Sequence, residues 1–319
     1  MLWLTAGVLL GACQPQSVGR CLGPDVHGIV LPEFEPSLPR VSRIHLESWI
    51  EALTAPHLAG RRAGEPGAHA VAAALAEQMR RLGLATPPGW RGFCQRFPFL
   101  EGEDVNVVGH LPPVDDRADW ILVGAHFDGQ GIRPAGQIYP GADDNASGVA
   151  ALLEIARLAG QRRDSAVRGS QPGWVFVALG AEEVGRLGAS AFLERPSVEL
   201  SQIDLMINLD MVGRPLPTEA AKAIGFRALS DRQRISEALQ RAASLAGIEV
   251  RRLEELGPLM PAITDAQIFA PEVPTVLLST GLHADHHELT DLAERIDYEQ
   301  IERSVQLVLA LADILADRP

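Results

Sequence analysis

The chain has 319 residues, of which 46% are hydrophobic and 22% charged, and a formal net charge of -13. That length and apolar fraction support one large domain or two small ones with a proper core, which excludes intrinsic disorder for most of the chain. Acidic residues outnumber basic ones by 41 to 28 with no Lys/Arg run, so a nucleic-acid backbone meets a repelling surface and is excluded as a partner.

Met1 to Ala12 is apolar and closes on Leu10-Gly11-Ala12-Cys13. It is too short for a transmembrane span and reads as an export signal. Leu-Gly-Ala-Cys resembles the processing box of bacterial lipoproteins, although no positive charge precedes it. Residues 1–22 are therefore expected to be an export signal or a lipoprotein leader with a lipid anchor at Cys13. The expected location is exported: periplasmic, anchored at the outer membrane, or secreted. Cys21 and Cys94 are too far apart for a metal clip. In an exported protein they are a candidate disulfide; two unpaired thiols are the alternative. Residues 23–43, rich in proline, are expected to form an extended leader on the surface.

From residue 44 onward a single domain without an inserted one is expected, running to 319. Apolar residues recur at helical spacing over Ile44–Leu53 and His69–Leu82. Short apolar runs then alternate with helical ones. Strands are predicted at Trp120–Ala125, Trp174–Gly180, Asp204–Leu209 and Pro274–Thr280, and helices at Val149–Leu158, Ala189–Leu193, Arg232–Ala246 and Tyr298–Leu315. This alternation predicts an α/β fold: a mostly parallel central sheet covered by helices on both faces.

In such sheets ligands bind beyond the carboxyl ends of the strands, and the polar residues gather there. The first predicted strand runs into His126 and Asp128, the second into Glu182 and Glu183, the third into Asp210, and the fourth into a loop with His283, Asp285, His286 and His287. Asp143, Asp144 and Asn145 precede a helix. Singly, each has a plain structural reading: a loop histidine, a helix cap, a solvated glutamate pair. Together at matching strand ends they suit a pair of zinc ions, because imidazole and carboxylate are both good zinc ligands.

Five segments carry a resemblance: Gly-Ala-His-Phe-Asp at 124–128, Gly-Ala-Asp-Asp-Asn-Ala-Ser-Gly at 141–148, Glu-Glu-Val-Gly at 182–185, Asn-Leu-Asp-Met-Val-Gly at 208–213 and the histidine loop at 283–287. In that order they resemble the co-catalytic di-zinc aminopeptidases of the bacterial leucyl aminopeptidase type, within the zinc-exopeptidase fold of phosphorylase/hydrolase-like architecture. The likeness covers about residues 44 to 315. Ala59 to Gly64 adds a weaker match.

The resemblance implies two zinc ions. Asp144 bridges them, followed by a peptide bond that is often cis in relatives; His126 and Asp210 complete one, and Glu183 and His287 the other. Asp143, kept as a capping or loop-shaping residue, is the competing candidate for the bridge. Glu182 would act as general base and acid on the attacking water and the leaving amine, and Asp128 would orient the His126 ring. His286 stands where the family carries a tyrosine that stabilises the oxyanion; it is either a catalytic replacement or, with the register slipped by one, the ligand itself. His283 lies outside the ligand set.

The function implied is a monomeric zinc metallo-aminopeptidase acting on peptides with a free N-terminus. Glutaminyl-peptide cyclisation on the same fold is the enzymatic alternative, and a non-catalytic peptide-binding relative the other. The loops Gly131–Tyr139 and Leu253–Thr264 are the candidate specificity walls.

Overall fold

A computed structural model of the chain describes residues 21, 29, 31, 38–114, 119–164, 171–260 and 263–317. The expected signal, the lipid attachment at Cys13 and most of the expected leader lie outside these residues. Ile29, within that leader, is buried in the main core rather than lying on the surface.

Two helices come first, α1 (Arg43–Leu53) and α2 (Pro66–Arg81), joined by a tight turn at Pro56–Arg61. The strands are β1 (Cys94–Phe99), β2 (Gly102–Leu111), β3 (Trp120–His126), β4 (Gly173–Leu179), β5 (Ile203–Leu209), β6 (Ile224–Ala228), β7 (Val250–Arg252) and β8 (Thr275–Ser279). Between and after them run α3 (Gly148–Asp164), α4 (Leu187–Glu194), α5 (Arg232–Ala246), α6 (Asp265–Phe269) and α7 (Tyr298–Ala316).

The sheet order is β1-β2-β4-β3-β5-β8-β6-β7. Its centre, β4-β3-β5-β8, is parallel, whereas β2 joins β4, and β6 joins β8, antiparallel. β6 and β7 at one edge pair parallel again, so the sheet is mostly parallel as expected, with antiparallel pairing where β1, β2 and β6 join it.

Alternation along the central strands sorts their side chains between two layers. Ile121, Val123, Leu205, Ile207, Val276 and Leu278 face a large core with α1, α2, α3, α5 and α7. Leu122, Val175, Val177 and Met206 face a smaller one with Phe192 of α4 and Phe269 of α6. Strands covered on both sides must be apolar throughout, which explains why β4 is buried along its whole length.

Two ties fix the amino-terminal part. Cys21 is disulfide-bonded to Cys94 of β1, their Cα atoms 5.3 Å apart. Arg157 of α3 donates to the carbonyls of Leu38 and Arg40 (2.7 Å for the latter) and grips Glu154 through Nε at 2.9 Å; Glu154 in turn accepts from the backbone N–H of Ser42 at 2.6 Å. No helix among the described residues is long and apolar enough to cross a membrane.

Candidate metal centre

The parallel strands all end at one edge, and there the side chains gather. His126 is the last residue of β3 and only 2% exposed. Asp210 follows β5, its N–H bonded to Leu278 O of β8 at 3.2 Å. Glu182 and Glu183 lie on the tight turn from β4 to α4, where Ala181, Gly185 and Arg186 have positive φ. Asp128 seats that turn, its carboxylate accepting from the N–H groups of Glu182 at 3.0 Å and Glu183 at 3.2 Å.

Asp144 lies at a non-helical kink within the turn Ala142–Ser147 that leads into α3, and the Asp144–Asn145 peptide is cis. Asn145 pins this turn to the end of β5, donating to Leu209 O at 2.9 Å and accepting from Met211 N at 3.2 Å. On the other side Asp291 accepts from the N–H groups of Asp143 (3.0 Å) and Asp144 (3.1 Å). Asp143 points away from the cluster, accepting from Gly213 N at 2.6 Å and pairing with His283 at 3.1 Å. The loop carrying His286 and His287 is thereby tied to the turn carrying Asp144.

Asp144 stands at the middle. Its Oδ1 is 3.3 Å from His126 Nε2, which is itself 3.7 Å from Asp210 Oδ1. Its Oδ2 is 3.0 Å from His287 Nε2 and 3.5 Å from His286 Nε2. His287 Nε2 is also 3.3 Å from Glu183 Oε2. The histidine rings stack with centroids 3.8 Å apart. Two donor groups result, His126/Asp144/Asp210 and Asp144/His286/His287, each with its donor atoms within 4.8 Å of one another and Asp144 common to both.

The electrostatics ask for cations. Burial alone would strip the proton from His126, but Asp128, Asp144 and Asp210 raise its pKa well above the usual imidazole value. Hydrogen bonds to Asp144 and Glu183 push His287 up to about 10. Burial opposes ionisation of Asp144, yet His126 and His287 hold its carboxyl far below the ordinary range. Protons on the two imidazoles thus neutralise the carboxylates, and a dication can replace them because both proton and metal compete for the same lone pairs. Glu183 Oε1 is buried with no partner of its own. A mixed imidazole–carboxylate donor set with an orphaned carboxylate oxygen fits zinc.

Glu182 stands beside this cluster. Burial pushes its carboxyl up to about 9, with Asp265 and Asp210 adding to the effect against the pull of His126. Its nearest cation is Arg186, with Nη1 4.0 Å from Oε1. The cavity of about 370 Å³ is lined by His126, Asp144, Glu182, Glu183, Asp210, His286 and His287, with Met211, Ile263 and Leu282 as its apolar part. Of the two expected specificity loops, Leu253–Thr264 contributes Ile263 and Thr264, and Gly131–Tyr139 contributes no lining residue.

Several residues at the site carry no sequence signal. Gln130 donates to Glu183 Oε2 and lies 3.1 Å from His287 Nε2. Asp265, at the start of α6, is buried with both oxygens unbonded, and burial pushes its carboxyl up to about 8. Arg61 is 1% exposed and donates to the carbonyls of Leu53 (2.6 Å), Phe127 (3.1 Å), Pro140 (2.8 Å) and Gly141 (2.9 Å). It therefore bridges the loop after His126 and the approach to Asp144. In the sequence only the weak match at Ala59–Gly64 pointed towards it.

Known proteins bear on this geometry. Residues 106–312 match the model of peptidase family M28. Aminopeptidase YwaD of Bacillus subtilis is 30% identical over 224 residues, 66% of this chain and 45% of that protein. A probable zinc metalloprotease of Pyrenophora teres is 37% identical over 109 residues, 34% of this chain and 22% of that one. The chain spans less than half the length of these curated relatives. Among solved structures, a Zn-dependent exopeptidase from Parabacteroides distasonis superposes with a TM-score of 0.67 at 20% identity, over 88% of this chain and all of that one. Porphyromonas gingivalis glutaminyl cyclase superposes at 0.66 and 20% identity, over 86% and 98%. These likenesses establish the zinc-exopeptidase fold.

Proposed function

The chain belongs to peptidase family M28, and from that premise we propose that it is a zinc aminopeptidase that removes N-terminal residues from peptides. The observation that carries this reading is Asp144, placed between two sets of imidazole and carboxylate donors beside an uncoordinated glutamate.

In this reading Asp144 would serve both of two zinc ions, His126 and Asp210 would hold one with it, and Glu183 and His287 the other. His287 is preferred to His286 because it reaches both Asp144 and Glu183, whereas His286 reaches Asp144 alone at 3.5 Å. Bound zinc supplies polarisation of the scissile carbonyl and a lowered pKa for the attacking water. Glu182 takes the proton from that water and returns one to the leaving amine. Burial holds His286 below the usual imidazole value, so its ring is a neutral donor at the cavity mouth, suited to the oxyanion. Met211, Ile263 and Leu282 offer an apolar side chain its place. The Cys21–Cys94 disulfide supports an exported protein, since such bonds persist in oxidising compartments.

The test is hydrolysis of a panel of amino-acid anilides by purified protein with and without chelator, beside a peptide with N-terminal glutamine. Chelator-sensitive release of anilide is expected. Cyclisation of the glutamine peptide without hydrolysis would replace this reading with the cyclase, and inertness towards both would leave a binding protein. His286→Tyr should keep its zinc and its activity; loss of metal would make His286 the ligand.

A further inference from the structure

Arg186 brings a cation to a cavity otherwise dominated by acids. The tight turn after Glu183, with φ of 115° at Gly185 and 58° at Arg186 itself, returns this side chain to the cavity wall, where it is 27% exposed. Its only ion pair among the described residues is the long one to Glu182, at 4.0 Å. Its buried Nε has no acceptor. The neighbouring Asp265, whose charge the guanidinium influences, hydrogen-bonds with none of its donors. A guanidinium fork with open donors is suited to gripping a carboxylate in two-point fashion.

Its position says which carboxylate. Glu182 must face the amine of the leaving residue in order to protonate it. In an amino acid the carboxylate carbon lies about 2.5 Å from the amine nitrogen, so a group that grips that carboxylate must be an immediate neighbour of Glu182. Arg186 is that neighbour. We propose that Arg186 recognises a carboxylate on the residue that follows the scissile bond, so that the favoured substrates are dipeptides with a free carboxyl terminus or peptides with an acidic second residue. This inference rests on the aminopeptidase reading and deepens it.

The experiment compares pairs of substrates that differ only in the carboxylate. Leu-Gly against Leu-Gly amide reads the main-chain carboxylate, and Leu-Asp amide against Leu-Asn amide reads the side-chain one. For at least one pair the wild-type zinc enzyme should favour the acid by about tenfold or more in kcat/KM, chiefly through KM, as a charge-assisted hydrogen bond predicts. Arg186→Met should bring that ratio to about one, and Arg186→Lys should restore part of it. Equal kcat/KM within both wild-type pairs, or a preference that survives in Arg186→Met, would overturn the proposal. Calorimetric binding of the same pairs to zinc-loaded Glu182→Gln and Glu182→Gln/Arg186→Met proteins separates the two readings. A carboxylate preference that vanishes with Arg186 would uphold this assignment even if no substrate were hydrolysed, an outcome that would sink the aminopeptidase reading alone.

Discussion

Among the described residues, two buried polar clusters are built on opposite principles. Under α3, Glu154 meets two nitrogens of Arg157, the Ser42 N–H and His45, while the other donors of Arg157 reach the carbonyls of Leu38 and Arg40. Burial works against that carboxylate, but Arg157 and His45 hold its pKa below the usual value. At the carboxyl edge of the sheet, Asp144, Asp210, Glu182, Glu183 and Asp265 share a small volume with His126, His286 and His287. There atoms of Glu183 and Asp265 remain unbonded, and pKa values are driven in both directions. A cluster that closes on itself fastens chain segments together; one that leaves carboxylate oxygens without partners has kept room for a ligand. The cost of burying charge is similar for both, so the deficit at the edge is the functional signal.

The sharpest way to break this distinction is Glu182→Gln. Turnover should fall by about 10²- to 10⁴-fold, the usual worth of a general acid–base group, while metal analysis shows unchanged zinc. Zinc loss in that variant would exchange the roles of Glu182 and Glu183. Next in size, Arg157→Met leaves Glu154 buried without its partner and should cost about 3–5 kcal/mol in denaturant titration. Its zinc content should match the wild type; a metal-depleted but stable variant would erase the contrast between the clusters. Zinc itself provides the third case. At a hundredfold excess over Kd each zinc ion bound should stabilise the metal-free protein by about 2.7 kcal/mol, and Asp144→Asn should remove most of that gain, read as a shift in Tm.

The smallest effect comes from a buried imidazole belonging to neither cluster. His110 of β2 meets Ser197 Oγ at 2.8 Å and packs against the Trp120 ring, and burial lowers its pKa from 6.5 to about 4. The unfolded chain therefore takes up this proton first as pH falls, and the stability lost lies between about pH 6.5 and 4. From pH 7 to 5.5 the loss attributable to His110 is about 1 kcal/mol. His110→Gln should flatten the pH dependence of unfolding by that amount; an unchanged slope would count against the burial effect.

The centre of the sheet was legible because β3, β4, β5 and β8 are apolar runs ending in chemically conspicuous residues. The margins were not. β1 carries Pro98, β2 mixes Glu103, Asp104, Asn106 and His110 among its valines, and β6 and β7 are only 5 and 3 residues long. All four blur the period that marks a strand. The site divides in the same way. Residues at strand ends could be read because position and chemistry coincide there. Arg61 was touched only by the weak match at Ala59–Gly64, since its partners are main-chain carbonyls that any sequence supplies. Asp265 reads as an ordinary acid at a helix start, and its lack of partners exists only in three dimensions.

Arg61 has a practical meaning for anyone who would shorten this gene. The family match starts at residue 106, and a fragment cut there would retain every proposed zinc ligand and the general base. It would nevertheless lose the guanidinium that reaches Phe127, Pro140 and Gly141 from outside the matched segment, leaving those carbonyls without their shared donor. The smallest portable unit of this protein therefore begins well before its recognisable motifs, at the latest ahead of the helix whose last carbonyl, at Leu53, Arg61 also holds.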